Sequence, residues 1–294
     1  MPPEPEPASA FVERAAPADL AGVLTGLWFV RTVAPTRFER ILPATDVPFI
    51  VPLTVQPYGV RRADGWHLLR GPFVAGLTDE ATISSNGGLV ANVGARLRPD
   101  ALRAVGLDPQ RLAGGVHEVD GFPGLRRLRP DVDPGTALDA VVAGLRDRLE
   151  VAWRPDPVVR TALASFGADP QPRVGDVATR AGVSAPALVA RFRRACGVTP
   201  KAFADLQRLH GLLERLTAAA LAAGAGQVGD GGDTPVPGVI WSELAAAAGY
   251  YDQSHLTRAF HRFVGLTPTA YFDRVRRYGL ETARFVPEQD VSPD

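Results

Sequence analysis

The spacing of apolar and polar positions divides the chain into two stretches with different periods. Between residues 20 and 97, short apolar runs recur at intervals of roughly ten residues, among them Leu27-Trp28-Phe29-Val30, Phe49-Ile50-Val51, Trp66-His67-Leu68-Leu69 and Leu89-Val90-Ala91-Asn92-Val93. Pro, Gly and Asp-Gly turn signals separate them, and strand-length runs bounded in this way predict an antiparallel sandwich or barrel. After Pro99 the period becomes helical, first over 100–105 and then over 136–153. In the second segment Leu138, Val142, Leu145, Leu149 and Ala152 follow one another at spacings of 4, 3, 4 and 3, a heptad-like seam. Such a seam packs either on the chain's own strands or on a second copy as a dimerisation helix, although two to three heptads are short for a coiled coil.

Arg154-Pro155-Asp156-Pro157 stops that helix and marks a boundary. The predicted organisation is α+β, with a β-rich barrel or sandwich-like region followed by an all-helical one. Residues 1–19 form a Pro-rich, acidic leader expected to be loosely ordered. Residues 20–157 form the β-rich region with its C-terminal helices, 158–278 the helical region, and 279–294 a tail. Residues 218–238, AAALAAGAGQVGDGGDTPVPG, start as an alanine-rich helix end and continue as a Gly/Pro loop.

The helical region contains one unit twice. Residues 174–203 read VGDVATRAGVSAPALVARFRRACGVTPKAF, and residues 241–271 read WSELAAAAGYYDQSHLTRAFHRFVGLTPTAY. Val177-Ala178 aligns with Leu244-Ala245, Gly182 with Gly249, Leu188 with Leu256, Phe192 with Phe260, Gly197 with Gly265, and Thr199-Pro200 with Thr267-Pro268. Small Ala178 and Ala245 let two helices approach closely, and Gly182 and Gly249 supply the left-handed backbone of a sharp turn. Ser184 and Asp252 are placed to cap the second helices. The Leu/Phe pairs at i and i+4 would anchor those helices to a core. Two helix-turn-helix units are therefore predicted, at 174–195 and 241–263.

Composition changes this picture little, while charge gives it direction. With 294 residues and 46% hydrophobic content the chain has room for two domains. Its net charge of zero conceals an asymmetry: residues 158–278 hold 14 basic against 9 acidic side chains, residues 1–157 hold 17 against 19, and the last sixteen hold one against four. A modest positive excess in the helical region permits contact with nucleic-acid phosphates. The single cysteine, Cys196, excludes an intrachain disulfide and a thiolate metal cluster. The N-terminus lacks the basic flank and apolar core of a signal peptide, and no run approaches the ~18 apolar residues of a membrane span, so the expected location is cytoplasmic.

The repeat, and its second copy above all, resembles the AraC/XylS family of bacterial regulators over residues 158–277. The resemblance implies that each second helix enters a major groove, the two lying on one face of the DNA about one turn, ~34 Å, apart. It implies Gln253, Ser254, Thr257 and Arg258 as base readers with His255 in support. These types suit the task, since Gln pairs bidentately with adenine and Arg with guanine. The first helix presents Ala185, Pro186, Val189 and Ala190 at the equivalent positions, which offer no side-chain hydrogen bond. Ser184, Arg191, Arg193, Arg194 and Arg262 are expected to touch phosphates and fix register. Specificity should therefore reside mainly in the second helix.

Family members often join such a module to a β-rich sensor, which is the place of residues 20–157. Trp28, Trp66, Phe73 and Arg96 are the candidate ligand-binding residues, though strand aromatics also serve as core. His67 and His117-Glu118 are too isolated for a metal site, and no metal, cofactor or catalytic residue is expected. The function implied is a transcription regulator, more often an activator than a repressor, controlled by a small molecule and acting with double-stranded DNA and RNA polymerase. A regulator that is constitutive or controlled by a protein partner is the alternative. An enzyme fused to a DNA-binding module is remote, because no G-x-S-x-G elbow, phosphate loop or zinc-ligand spacing occurs.

Overall fold

The computed structural model describes residues 9–62, 64–169, 172–222, 241–279 and 283–288. Among them the short apolar runs become strands β1 (Ala10–Arg14), β2 (Leu24–Val33), β3 (Phe38–Ile41), β4 (Val47–Pro52), β5 (Tyr58–Arg62), β6 (Gly65–Leu69), β7 (Phe73–Ala75), β8 (Thr82–Ser85), β9 (Leu89–Leu97), β10 (Val116–Glu118) and β11 (Phe285–Glu288). The helices are α1 (Pro109–Leu112), α2 (Pro134–Asp147), α3 (Pro157–Ala168), α4 (Val174–Arg180), α5 (Ala185–Cys196), α6 (Pro200–Ala222), α7 (Trp241–Ala247), α8 (Gln253–Val264) and α9 (Pro268–Tyr278). None of the described helices is long and apolar enough to cross a membrane.

The strands form two antiparallel sheets, ordered β1-β2-β9-β4-β7-β10 and β11-β3-β8-β5-β6. Both faces of the larger sheet are covered. In β4, Val47, Phe49 and Val51 alternate with Pro48, Ile50 and Pro52, and the first set is buried in the main core while Ile50 packs between the sheets. There Tyr58 of β5 stacks on Phe73 of β7, ring centroids 5.2 Å apart, with Val60, Leu69 and Val116 around them. The opposite face is covered by α2 through Ala137, Leu138, Val141, Val142 and Leu145.

One open alternative is decided and two expectations are corrected. The apolar seam of 136–153 faces the chain's own sheet: Leu138 is 1% exposed and Leu145 is fully buried, so these side chains cannot form a dimer interface. The helix also ends at Asp147, leaving Leu149 and Ala152 beyond it. The first correction concerns the leader of 1–19, in which residues 10–14 are ordered as β1. Paired from Ala10↔Arg31 to Arg14↔Leu27, they satisfy the main chain of the β2 edge. Glu13 to Arg96 and Arg14 to Asp139 ion pairs hold the strand in place. Residues 1–8 lie outside the described residues. Finally, the tail of 279–294 contributes β11, which joins β3 of the smaller sheet over Phe285↔Ile41 to Glu288↔Phe38. Helix α6 continues to Ala222, in keeping with the alanine-rich helix end expected from residue 218, and residues 223–240 lie outside the described residues.

Two seams join the β-rich and helical regions over one continuous core. At the first, Arg160 of α3 binds the buried carboxylate of Asp100 and donates to the Gly22 carbonyl at 2.6 Å, while α1 packs on α5. A Cβ on Gly197, just past α5, would run into the Pro109 carbonyl, so only glycine permits this approach. At the second, Glu288 of β11 is 5% exposed and lies between Arg40 Nε of β3 (2.7 Å) and Arg274 Nη1 of α9 (2.5 Å). Arg40 Nη1 also donates to the Val264 carbonyl, the last residue of α8 (3.3 Å). Removing one partner of a buried ion group leaves the others uncompensated, at a cost of about 3 kcal/mol. Glu288→Ala is therefore expected to lower the unfolding free energy in urea by about 3 kcal/mol, and an unchanged midpoint would show that the second seam contributes nothing.

Candidate nucleic-acid interface

Each helix-turn-helix is built by the same local chemistry. In the first unit α4 ends at a turn whose Gly182 has φ +71°, and Ser184 Oγ accepts from Ala187 N at 3.4 Å to cap α5. In the second, Gly249 has φ +79° and the Asp252 carboxylate accepts from His255 N at 2.6 Å to cap α8. Ala178 and Ala245 are buried at the helix crossings. Both second helices close on a left-handed glycine, Gly197 and Gly265. Thr199 and Thr267 then cap the following helices by accepting from Ala202 N and Ala270 N.

The anchoring faces are aromatic. Leu188 and Phe192 of α5 are fully buried, with Phe192 meeting Phe166 and Phe203 at 5.8 and 5.5 Å. Leu256 and Phe260 of α8 are fully buried too, and Phe260 meets Tyr271 edge-on at 5.3 Å. Fixing one face in this way commits the other to solvent.

On α8 the outward face carries Gln253, Ser254 and Arg258, all exposed. Thr257 is half-buried, and its hydroxyl donates to the Gln253 carbonyl at 2.9 Å. His255 is placed differently from these. Its Nδ1 accepts from Tyr251 N at 3.3 Å and its ring meets Tyr250 edge-on, so it braces the turn. On α5 the outward residues are Ala185, Pro186 and Ala190 with half-buried Val189, an apolar surface. Ser184, Arg193 and Arg194 are exposed beside it, whereas Arg191 is drawn to Asp156, the cap of α3, at 3.3 Å. Arg262 is half-exposed and lies 3.7 Å from Asp205 of α6. Sequence reasoning missed Tyr251, 93% exposed in the turn just before α8. An aromatic side chain between the turn glycine and the helix cap was the available signal.

The four candidate ligand residues do not converge. Trp28 lies over Gly94 of the neighbouring strand, where a side chain would collide with the indole. Trp66 packs on Phe38 within the smaller sheet, centroids 5.5 Å apart. Phe73 is buried on Tyr58, and Arg96 is paired with Glu13 at 2.5 Å. Strand alternation and register explain the outcome: Trp28 and Trp66 are taken up within their own sheets and Phe73 by its stack on Tyr58 between the sheets, so no shared space is lined by all of them. What the interior does hold is a polar group absent from the candidate set. Tyr58 Oη lies 2.9 Å from Glu39 Oε1 and 3.0 Å from Ser84 Oγ, which is 3.1 Å from the same carboxylate oxygen. Burial raises the Glu39 carboxyl above its ordinary range against the pull of these two hydrogen bonds. Burial, with the neighbouring Glu39 charge, raises the Tyr58 hydroxyl well above its own.

Comparison with known proteins bears on the helical region. Residues 241–273, which span α7, the turn, α8 and the start of α9, match the bacterial regulatory helix-turn-helix proteins of the AraC family. An AraC-like transcription regulator of Streptomyces lividans is 34% identical over 123 residues, which is 41% of this chain and 34% of that protein. The chain thus spans about a third of the length of the curated relative it matches. Among solved structures, ToxT from Vibrio cholerae in its P21 form is similar at a TM-score of 0.48 and 8% identity, over 90% of this chain and 98% of that one. Unsaturated fatty acid bound wild-type ToxT from Vibrio cholerae is similar at 0.44 and 10% identity, over 92% and 96% of the two chains. The second unit of this chain is an AraC-type helix-turn-helix.

Glu39 generates a prediction of its own. Its raised pKa means that the folded chain holds this proton more tightly than the unfolded one, whose value is near 4.5. The carboxyl therefore costs nothing below that value, and stability declines as pH rises through the folded pKa. Glu39→Gln should remove the decline, giving a urea midpoint at pH 7 equal to or above that of the parent. A lower midpoint at pH 7 would show that Tyr58 and Ser84 more than offset the burial of the charge.

Proposed function

We propose that this chain, with its AraC-type helix-turn-helix at 241–273, is a sequence-specific DNA-binding transcription regulator in which α8 reads bases and α5 clamps the backbone. The observation that carries this reading is the inequality of two equally built units. Both helices are capped, anchored and turned alike, yet only α8 presents exposed amide, hydroxyl and guanidinium groups in its first two turns. Gln253 and Arg258 are the types that pair bidentately with adenine and guanine in the major groove, and Ser254 and Thr257 can add single contacts. Ala185, Pro186 and Ala190 offer thymine methyl contacts, while exposed Arg193 and Arg194 supply sequence-independent attraction to phosphates. Ser184 and Arg262 join them, and Arg191 does so when it leaves Asp156.

In this reading the chain acts in the cytoplasm as an activator that meets RNA polymerase on DNA, under control of a small molecule held by the β-rich region. The Glu39, Tyr58 and Ser84 group supplies the polar contacts such a ligand would need between the sheets. A second reading, control by a protein partner or none, is favoured by the filled space beside that group, where Tyr58, Val60, Leu69, Phe73 and Val116 pack directly on one another.

Selection of binding sites from a random duplex pool by the parent chain tests the reader assignment. Gln253→Ala and Arg258→Ala are each expected to relax preference at one or two positions, with a loss on the selected site of about 1–3 kcal/mol. Non-specific affinity should stay nearly unchanged for Gln253→Ala. Unaltered selection profiles for both variants would remove α8 from the role of reader.

A further inference from the structure

Between α6 and α8 the surface opens into a cleft of about 280 Å³ that belongs to neither sheet and, of the candidate base contacts, touches only Arg258 and His255. Four cationic side chains border it, Lys201 and Arg208 from α6 and Arg258 and Arg262 from α8, against a single carboxylate, Asp205. Asp205 is 14% exposed and gathers three of them: Lys201 Nζ at 2.8 Å, Arg208 Nη1 at 3.1 Å and Arg262 Nη2 at 3.7 Å. The lining thus carries more cationic than anionic side chains, gathered in a place where side-chain repulsion alone would drive them apart.

The floor of the cleft provides an independent observation. Tyr250 is 4% exposed, lines the cleft under the Arg208 guanidinium, and its hydroxyl has no hydrogen-bond partner. Burial pushes that hydroxyl up to about 12, so it keeps its proton and remains a donor. A buried donor without an acceptor is costly, and native structures rarely leave one unanswered. Cations at the rim and an unmet donor at the floor ask for the same thing, an anionic oxygen.

We propose that this cleft is a phosphate-binding site, filled by a backbone phosphate of the DNA at the midpoint between the two recognition helices. The position follows from chain order. Three residues separate the end of α5 from the start of α6, whose first turns line the cleft on one side while α8 lines it on the other, so the cleft adjoins both second helices. Helices seated in successive major grooves leave a stretch of backbone between them, which must pass this surface. The inference rests on the DNA-binding reading above. It adds Lys201, Arg208 and Tyr250 to the interface and gives Asp205 the task of holding the cations in register.

The test uses the full chain and a 30-base-pair duplex of arbitrary sequence, because a phosphate contact is indifferent to sequence. The affinity is followed against salt concentration for the parent, Lys201→Met and Tyr250→Phe. Lys201 is 70% exposed, so its replacement leaves the fold intact. Lys201→Met is expected to reduce the slope of log affinity against log salt by about one. Tyr250→Phe removes a hydrogen bond but no charge, so it should weaken binding several-fold with the slope unchanged, a combination that a merely structural role would not give. A second arm titrates inorganic phosphate against the thermal transition of the chain without DNA. Stabilisation of the parent that is lost in Lys201→Met, with unchanged DNA slopes, would keep the phosphate site but assign it to a free phosphate. Unchanged slopes and no response to phosphate would overturn the site. Failure of the parent to bind any duplex would instead overturn the DNA-binding reading, and the phosphate arm would then judge the cleft alone.

Discussion

The rest of the arrangement depends on a carboxylate that cannot reach water. Glu288 is buried between guanidiniums from two different regions, Arg40 on the edge of the smaller sheet and Arg274 on the last helix. Desolvating a carboxylate is tolerable only when its partners are present together, so the charge is satisfied only while the sheet and the helix are in contact. Arg40 extends the constraint by donating to the carbonyl that ends α8. The C-terminal end of α8, where the helix dipole is negative, thus rests on a cation belonging to the β-rich region.

The first helix-turn-helix is held by a different part of the same region. Arg160 binds Asp100 and the Gly22 carbonyl, and α5 packs against α1 through the space that Gly197 leaves open. Two seams on separate edges give each unit its own attachment, and α6 with its Asp205–Arg262 contact links the units directly. The relative placement of the two helices is therefore set by three sets of contacts, only one of which lies within the helical region.

Much of this was legible in the sequence, and the limits of legibility have physical causes. The helix-turn-helix units could be read because their determinants are local: a glycine forced to positive φ, a capping oxygen three residues from the amide it accepts, a Leu/Phe pair one helical turn apart. Strand existence was readable for the same reason. Partners were not. The seam Leu138-Val142-Leu145 has the same period whether it meets a sheet or a second chain, and only the apolar face of β2 and β9 decides between them. Residues 10–14 and 285–288 look like ends of the chain because neither has strong strand character. They become strands because β2 and β3 each offer a free edge. Trp28, Trp66, Phe73 and Arg96 were grouped by chemical type, and register distributes them among four separate environments. Glu39, Tyr58 and Ser84 are scattered in sequence and meet only when β3, β5 and β8 pair.

A net charge of zero looked unfavourable for a nucleic-acid partner, and the structure shows why the sum misleads. The buried acids are not spread evenly over the bases. Asp100 faces Arg160 and Arg98, Glu288 faces Arg40 and Arg274, and Asp205 faces Lys201, Arg208 and Arg262. In each cluster a single carboxylate is outnumbered, so burying the acids leaves positive charge at the surface around them, while many of the remaining acids lie exposed on the β-rich region. At the seams that surplus is consumed by backbone carbonyls, those of Gly22 and Val264. Around Asp205, Lys201 and Arg262 turn to the carboxylate itself, and this cluster borders α8 on the outer side of the helical region.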